Sequence, residues 1–230
     1  LKSADKIRCK NFLALGFMFY VYDRPLEPTI RFLEKKWGKR LPEVAEANVK
    51  VLKAGYYLGE TMEQVRNRYQ VSRAPFEPGK YRRVSGNQAL VYGLLVGGKK
   101  AKREVLYAGY PITPASPILE HFARLKNHGV KSVQAEDEMA AMGIALGASF
   151  TGDLAICATS GPGICLKSEF IGLAVIAELP MIICDIQRGG PSTGLPTKTE
   201  QGDLLQVLYG RNGESPLPVL ACHSPADCFE

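Results

Sequence analysis

No C-x-x-C pair occurs among the six cysteines of this 230-residue chain, at positions 9, 157, 165, 184, 222 and 228. That absence argues against a zinc or iron–sulfur site built within it. Three of the cysteines sit in apolar segments, where a reduced thiol behaves as a small hydrophobe, and the usage fits a reducing cytoplasm. Long apolar runs are missing too: the longest, Phe12 to Tyr22, has 11 residues and ends at Asp23, too short to cross a bilayer. No signal-peptide pattern is present, and no strand is followed by G-x-G-x-x-G, which disfavours a dinucleotide-binding dehydrogenase. Histidine is scarce, and none of His121, His128 and His223 falls in the loops described below. No nucleophile–base pair stands out. The net charge of +6 is modest and scattered. Its densest cluster, Lys99, Lys100, Lys102 and Arg103, has no interleaved aromatics and reads as a solvated loop, not a nucleic-acid patch.

What is present is an ordinary globular composition, 46% hydrophobic and 23% charged, in two regions of different character. From Lys10 to about Tyr69 the pattern is helical: Ile30, Leu33 and Trp37, then Val44, Ala47, Val51 and Ala54, recur at helical spacing. Pro42 suits a first helical turn. The stretch 73–79 reads as a linker. From Gly86 onward helices are expected at 86–97, 116–128, 138–150, 165–178 and 200–210, and strands at 105–109, 131–135, 154–159, 181–186 and 217–222. The strands are short, continuous and apolar, as parallel strands covered on both faces are. The expected fold is therefore α/β, a doubly wound parallel sheet preceded by a mainly helical segment. Ser116 stands where a helix N-cap belongs, with Pro117 in the first turn and Gly129 beyond the end. The start at Leu1 and the end at Glu230 just after a strand-like segment point to a piece of something longer.

Four loops follow the first four expected strands, and ligands of open α/β sheets bind where strands end. The first is Tyr110-Pro-Ile-Thr-Pro114, in which two prolines fix φ on either side of Thr113 and leave its hydroxyl in one place. The second, Gln134-Ala-Glu-Asp-Glu138, carries three carboxylates at a helix start, where the helix dipole favours negative charge and capping accounts for two of them. The third, Thr159-Ser-Gly-Pro-Gly163, is a glycine-rich turn of the kind that holds an anion, without Walker spacing. The fourth runs Gln187-Arg-Gly-Gly-Pro-Ser-Thr-Gly-Leu-Pro196. Arg188 there is placed to grip a carboxylate or phosphate with a two-pronged hydrogen bond. A lone arginine is usually a surface ion pair; three other marked loops on the same edge weigh against that. An arginine, a carboxylate to be buried and no metal cage indicate that a cofactor supplies the hard chemistry.

These four motifs, in this order and spacing, resemble the alpha subunit of thiamine diphosphate-dependent 2-oxoacid:ferredoxin oxidoreductases. The resemblance covers about 86–230, the domain that binds the aminopyrimidine of the cofactor and is expected to be truncated here. Residues 1–75, with Lys-Asn-Phe-Leu-Ala-Leu-Gly at 10–16 and Tyr-Asp-Arg-Pro-Leu-Glu-Pro at 22–28, resemble the end of a gamma-type domain fused ahead of alpha, with 76–85 as linker. That order and the Ser-Thr-Gly-Leu-Pro-Thr ending are most like the 2-oxoglutarate enzymes. The resemblance implies that Glu136 hydrogen-bonds the pyrimidine ring nitrogen and assists proton removal, with burial raising its pKa. Asp137 and Glu138 would cap the helix; a one-residue shift would move the catalytic role to a neighbour. Thr113 and Arg188 would contact the 2-oxoacid, and Pro111, Ile112, Ser160 and Gly161 the cofactor, with no metal ligand in this chain. Mg2+ and a [4Fe–4S] cluster would belong to a beta subunit, without which this polypeptide is inactive. Coenzyme A would be co-substrate and ferredoxin the electron acceptor, with no part for nucleic acid or membrane. Gln88 stands where relatives are expected to carry glutamate. Two alternatives remain open: an enzyme for pyruvate or branched-chain 2-oxoacids, and a non-catalytic α/β assembly module.

Overall fold

The computed structural model describes residues 3–62 and 67–230. The chain divides into two compact units, one ending at Lys80 and one spanning Tyr81–Glu230. The first contains helices α1 (Ser3–Val21), α2 (Glu27–Trp37) and α3 (Pro42–Thr61). Pro42 does open α3. Helices α1 and α3 cross at close range because each presents a glycine to the other: a Cβ at Gly16 would overlap the Leu52 carbonyl, and one at Gly55 the Leu13 carbonyl. Leu33 and Leu52 are fully buried in this unit. The helical pattern expected to reach Tyr69 ends at Thr61, and part of that stretch, 63–66, lies outside the described residues. Residues 67–85 carry neither helix nor strand. Arg68 pairs with Asp23, and the Tyr69 N–H donates to the Val21 carbonyl at 2.8 Å, fixing this segment to the end of α1.

The second unit alternates α4 (Gly86–Ala101), β1 (Val105–Gly109), α5 (Ser116–Arg124), β2 (Val130–Gln134), α6 (Glu138–Phe150), β3 (Leu154–Thr159), α7 (Gly161–Ile176), β4 (Met181–Asp185) and α8 (Leu204–Tyr209). The four strands form one parallel sheet in the order β2-β1-β3-β4. Apolar strands covered on both faces explain the arrangement. On one face Val105, Tyr107 and Ile156 pack with Val91 of α4 and with Ile118 and Phe122 of α5, the Tyr107 and Phe122 rings stacked at 4.7 Å. On the other, Ala108, Ala155 and Cys157 meet Ala141, Met142 and Ala145 of α6 and Ile171 of α7. The small side chains of α6 let it lie close against the strands. Chain direction across the sheet reverses between β1 and β3, and a crevice at their carboxyl ends is the favoured ligand position in such sheets.

Five local expectations need correction. No fifth strand forms over 217–222. Pro216 and Pro218 remove backbone donors there, and Leu220 is 91% exposed. Helix α7 starts at Gly161 instead of 165, since Ser160 is extended and Pro162 fits the first turn. Ser116 is not the cap of α5: Ala115 holds that position. The Ser116 hydroxyl instead bonds both the N–H and the carbonyl of Ile112, each at 3.0 Å, clasping the first strand-end loop. Helix α5 is also shorter than expected, giving way to a 3₁₀ turn at Lys126–His128 before Gly129, whose φ is +79°. Helix α8 is confined to Leu204–Tyr209 within the expected 200–210.

Candidate active site

All four marked loops leave the carboxyl edge of the sheet, and side-chain bonds tie the first to the third and to the fourth. Arg188, 7% exposed, donates from Nη1 to the Thr113 carbonyl and from Nη2 to the Thr193 carbonyl, both at 2.7 Å. The guanidinium therefore joins the first loop to the fourth. Both of its prongs are engaged by backbone, as a buried charge requires, while the Nε has no hydrogen-bond partner. Thr113 is exposed and precedes a cis bond to Pro114, and the Asn87 side chain donates to the Pro114 carbonyl at 3.1 Å. Gln88, at the start of α4, bonds the Tyr92 hydroxyl at 2.8 Å. Pro111 is exposed and Ile112 half-buried.

Loops one and three meet through Tyr110, whose hydroxyl lies 2.7 Å from the fully buried Thr159 hydroxyl. Only glycine fits at 163, because a Cβ there would overlap both of those hydroxyl oxygens. Burial, with Glu138 nearby, pushes the Tyr110 hydroxyl well above its ordinary pKa, so it stays a neutral hydrogen-bonding group. Ser160 is fully buried, and its Oγ has no hydrogen-bond partner. Gly161 is buried, and its open face is filled by the Asp203 carboxylate.

The acidic loop divides its labour. Asp137 is the N-cap of α6, accepting from the Ala140 N–H at 2.8 Å. Glu138 begins the helix and lies half-buried beside Tyr110. Glu136 is exposed, so the burial expected for it is not supplied by this chain. It stands beyond the end of β2, beside the β1 loop that carries Thr113.

Sequence reasoning missed the polar floor of this edge. Lys167 on α7 is 0% exposed, with its Nζ 4.4 Å from the centre of the Tyr110 ring. Burial lowers its pKa, opposed by Cys157, Glu138 and Asp137. Asp185, ending β4, has its pKa pushed up to about 7 by burial and by the Asp203 carboxyl beside it, against the pull of Lys167. Asp185 Oδ1 and Asp203 Oδ2 are both buried without hydrogen-bond partners. The available signal was a single lysine set among Ile164, Cys165, Leu166, Phe170 and Ile171.

A parallel sheet whose strand-end loops gather at one polar edge, with an accessible acid and, among the described residues, no nucleophile–base pair at that edge, fits a domain that holds a cofactor. Residues 97–230 match the family described as pyruvate flavodoxin/ferredoxin oxidoreductase, thiamine diP-bdg, and the chain belongs to that family. It is 54% identical over 226 residues to the 2-oxoglutarate oxidoreductase subunit KorA of Mycobacterium tuberculosis, covering 98% of this chain and 34% of that protein. It is 43% identical over 147 residues to the 2-oxoglutarate synthase subunit KorA of Archaeoglobus fulgidus, covering 64% of this chain and 41% of the relative. A solved structure, the 2-oxoglutarate:ferredoxin oxidoreductase from Magnetococcus marinus with 2-oxoglutarate, coenzyme A and succinyl-CoA bound, superposes with a TM-score of 0.75. Their identity is 37%, over 96% of this chain and 38% of that one. The chain thus spans less than half the length of these relatives.

The residues present suit the pyrimidine half of thiamine diphosphate: an accessible carboxylate at Glu136, the apolar edge of Ile112 and the partnerless Ser160 hydroxyl. Among the described residues no group of three or more His, Cys, Asp or Glu could hold a metal ion. None of their helices is long and apolar enough to cross a membrane.

Proposed function

We propose that this chain is part of the alpha subunit of a thiamine diphosphate-dependent 2-oxoacid:ferredoxin oxidoreductase. The reaction is 2-oxoglutarate and coenzyme A to succinyl-CoA and carbon dioxide, with two electrons passed to ferredoxin. The observation that carries this reading is the gathering of the four strand-end loops at one edge of the sheet, above all Arg188 bonded to the Thr113 carbonyl at 2.7 Å. The relatives' names support 2-oxoglutarate as substrate. When bound, thiamine diphosphate would supply the nucleophilic carbon and the electron sink that decarboxylation of a 2-oxoacid needs.

In this reading Glu136 hydrogen-bonds the pyrimidine ring nitrogen and holds the proton that moves as the ring changes tautomer. The water exclusion that such proton sharing needs comes from the beta-type subunit, which covers the exposed carboxylate. The Thr113 hydroxyl donates to the 2-oxoacid. Arg188 supplies positive charge to the substrate carboxylate with the N–H groups its two backbone bonds leave over. Ser160, Gly161, Pro111 and Ile112 shape the seat of the pyrimidine, Gly161 by admitting Asp203 beneath it. Exposed apolar side chains on α7 (Leu166, Leu173, Ile176) and α6 (Met139, Phe150) fit a face that a partner subunit covers. The partner holds the diphosphate with Mg2+ and the [4Fe–4S] cluster. Residues 1–75 are the end of a gamma-type domain, 76–85 a linker and 86–230 a truncated pyrimidine-binding domain. The enzyme works in the cytoplasm.

The test is co-expression of the full-length subunit with its neighbouring beta-type subunit, followed by coenzyme A-dependent viologen reduction with 2-oxoglutarate, pyruvate and branched-chain 2-oxoacids. Preference for 2-oxoglutarate is expected. Turnover of none of them overturns the function, and preference for pyruvate corrects the substrate. Glu136→Gln is expected to lower kcat by about a hundredfold or more; unchanged activity removes Glu136 from its role.

A further inference from the structure

Among the described residues, the most completely buried charged side chain is one to which the proposed chemistry gives no part. Lys167 is 0% exposed, and its Nζ has no hydrogen-bond partner. An ammonium out of water costs several kcal/mol unless other charges or a ring face compensate. An apolar residue of similar volume would avoid that cost. The compensation is laid out around it. The Tyr110 ring, from the loop after β1, lies 4.4 Å away, within cation–π range. Glu138, the first residue of α6, and Cys157, in β3, both favour its charge, and Lys167 in turn favours ionisation of Asp185 at the end of β4. One side chain from α7 thus lies against the loop after β1, in the field of groups at the start of α6, in β3 and at the end of β4. The same Tyr110 bonds Thr159, and the same Glu138 follows two residues after Glu136.

We propose that Lys167 is a positioning residue for the cofactor edge: its buried side chain, with Nζ over the Tyr110 ring, fixes the spacing of the strand-end loops that seat the pyrimidine. The inference rests on the function proposed above. It assigns Lys167 no contact with substrate or cofactor; it acts through Tyr110 and through the loop that ends at Glu138. Replacing the ammonium with an isosteric apolar chain leaves the core filled and removes only the charge that sets the loops.

The test uses the holoenzyme formed by the full-length subunit and its beta-type partner, as wild type, K167M, E138Q and the double variant. Thiamine diphosphate affinity is measured by calorimetry, the pH profile of kcat by viologen reduction, and thermal midpoints alongside. K167M and E138Q are each expected to weaken cofactor affinity about tenfold and to shift the pH profile. The double variant is expected to be no worse than the poorer single within about twofold, since both remove one interaction. Wild-type affinity and pH profile in K167M overturn the inference, as do affinity losses that multiply in the double. If K167M does not assemble, E138Q and D185N decide, and unchanged cofactor affinity in both overturns it. Wild-type holoenzyme that turns over no 2-oxoacid overturns the proposed function instead, a result the calorimetric comparison keeps separate.

Discussion

At the scale of single residues, the edge is held by groups that spend their polarity on the protein. Arg188 bonds two carbonyls, Ser116 both backbone groups of Ile112, and Tyr110 the Thr159 hydroxyl. Such satisfied buried bonds make the geometry stiff, which suits positioning more than direct chemistry. Gly163 is the tightest point. A methyl group there meets the Tyr110 and Thr159 oxygens, and one of them must move. Gly163→Ala is expected to destabilise the subunit by about 1–3 kcal/mol, read as a lowered urea midpoint. An unchanged midpoint would mean that these hydroxyls yield freely. Thr113 and Arg188 were legible in the sequence because prolines and a strand end marked their places. Lys167 was not, since a lysine on a helix normally reaches out to water along its own stem. Only the packing of α7 under the Tyr110 ring turns it inward.

At the scale of elements, the Asp137 cap and the first-turn prolines held, the Ser116 cap did not, and one of the five apolar runs failed as a strand. Asp137 was expected to cap α6 and does, by a 2.8 Å bond from the Ala140 N–H. Asp137→Ala is expected to cost about 1 kcal/mol of stability, and Asp137→Asn or Asp137→Ser much less. Thermal midpoints of the three variants check this. A loss equal in all three would mean that the charge near Lys167, not the cap, is what matters. The four strands and the helices between them follow from apolar runs alternating with helical spacing. The stretch 217–222 fails as a strand for a reason visible beforehand: Pro216 and Pro218 deny it ladder donors. The start of α7 was placed too late because Gly161 and Gly163 looked like loop glycines. Their actual service is close approach, of Asp203 to one and of two hydroxyls to the other.

At the scale of the whole α/β unit, two carboxyls close the long segment that leaves β4 and returns at α8. Asp185 ends the strand and Asp203 precedes the helix, where its N–H donates to the Gln187 side-chain oxygen at 3.2 Å. Nothing in the spacing of an aspartate at a strand end and another before a helix announces that they meet. The contact is a product of how that segment folds back past Arg188. Two carboxylates in a dry site cannot both ionise cheaply, and burial together with Asp203 raises the Asp185 pKa to about 7. The sign follows from proton counting. Between the ordinary aspartate value and about 7 the folded state keeps a proton that the unfolded chain has released. The stability this group contributes is therefore present at acid pH and is lost as pH rises toward 7, flattening above it. The lowered carboxyls Glu46 and Glu104 act oppositely, but only as pH falls through their own lower range. Urea midpoints of the full-length subunit are expected to fall between pH 5 and about 7.5. Asp185→Asn, which keeps the shape and cannot ionise, is expected to remove most of that slope. Should it persist undiminished in Asp185→Asn and in Asp203→Asn alike, the slope belongs to other groups, and the pair does not hold the Arg188 segment closed.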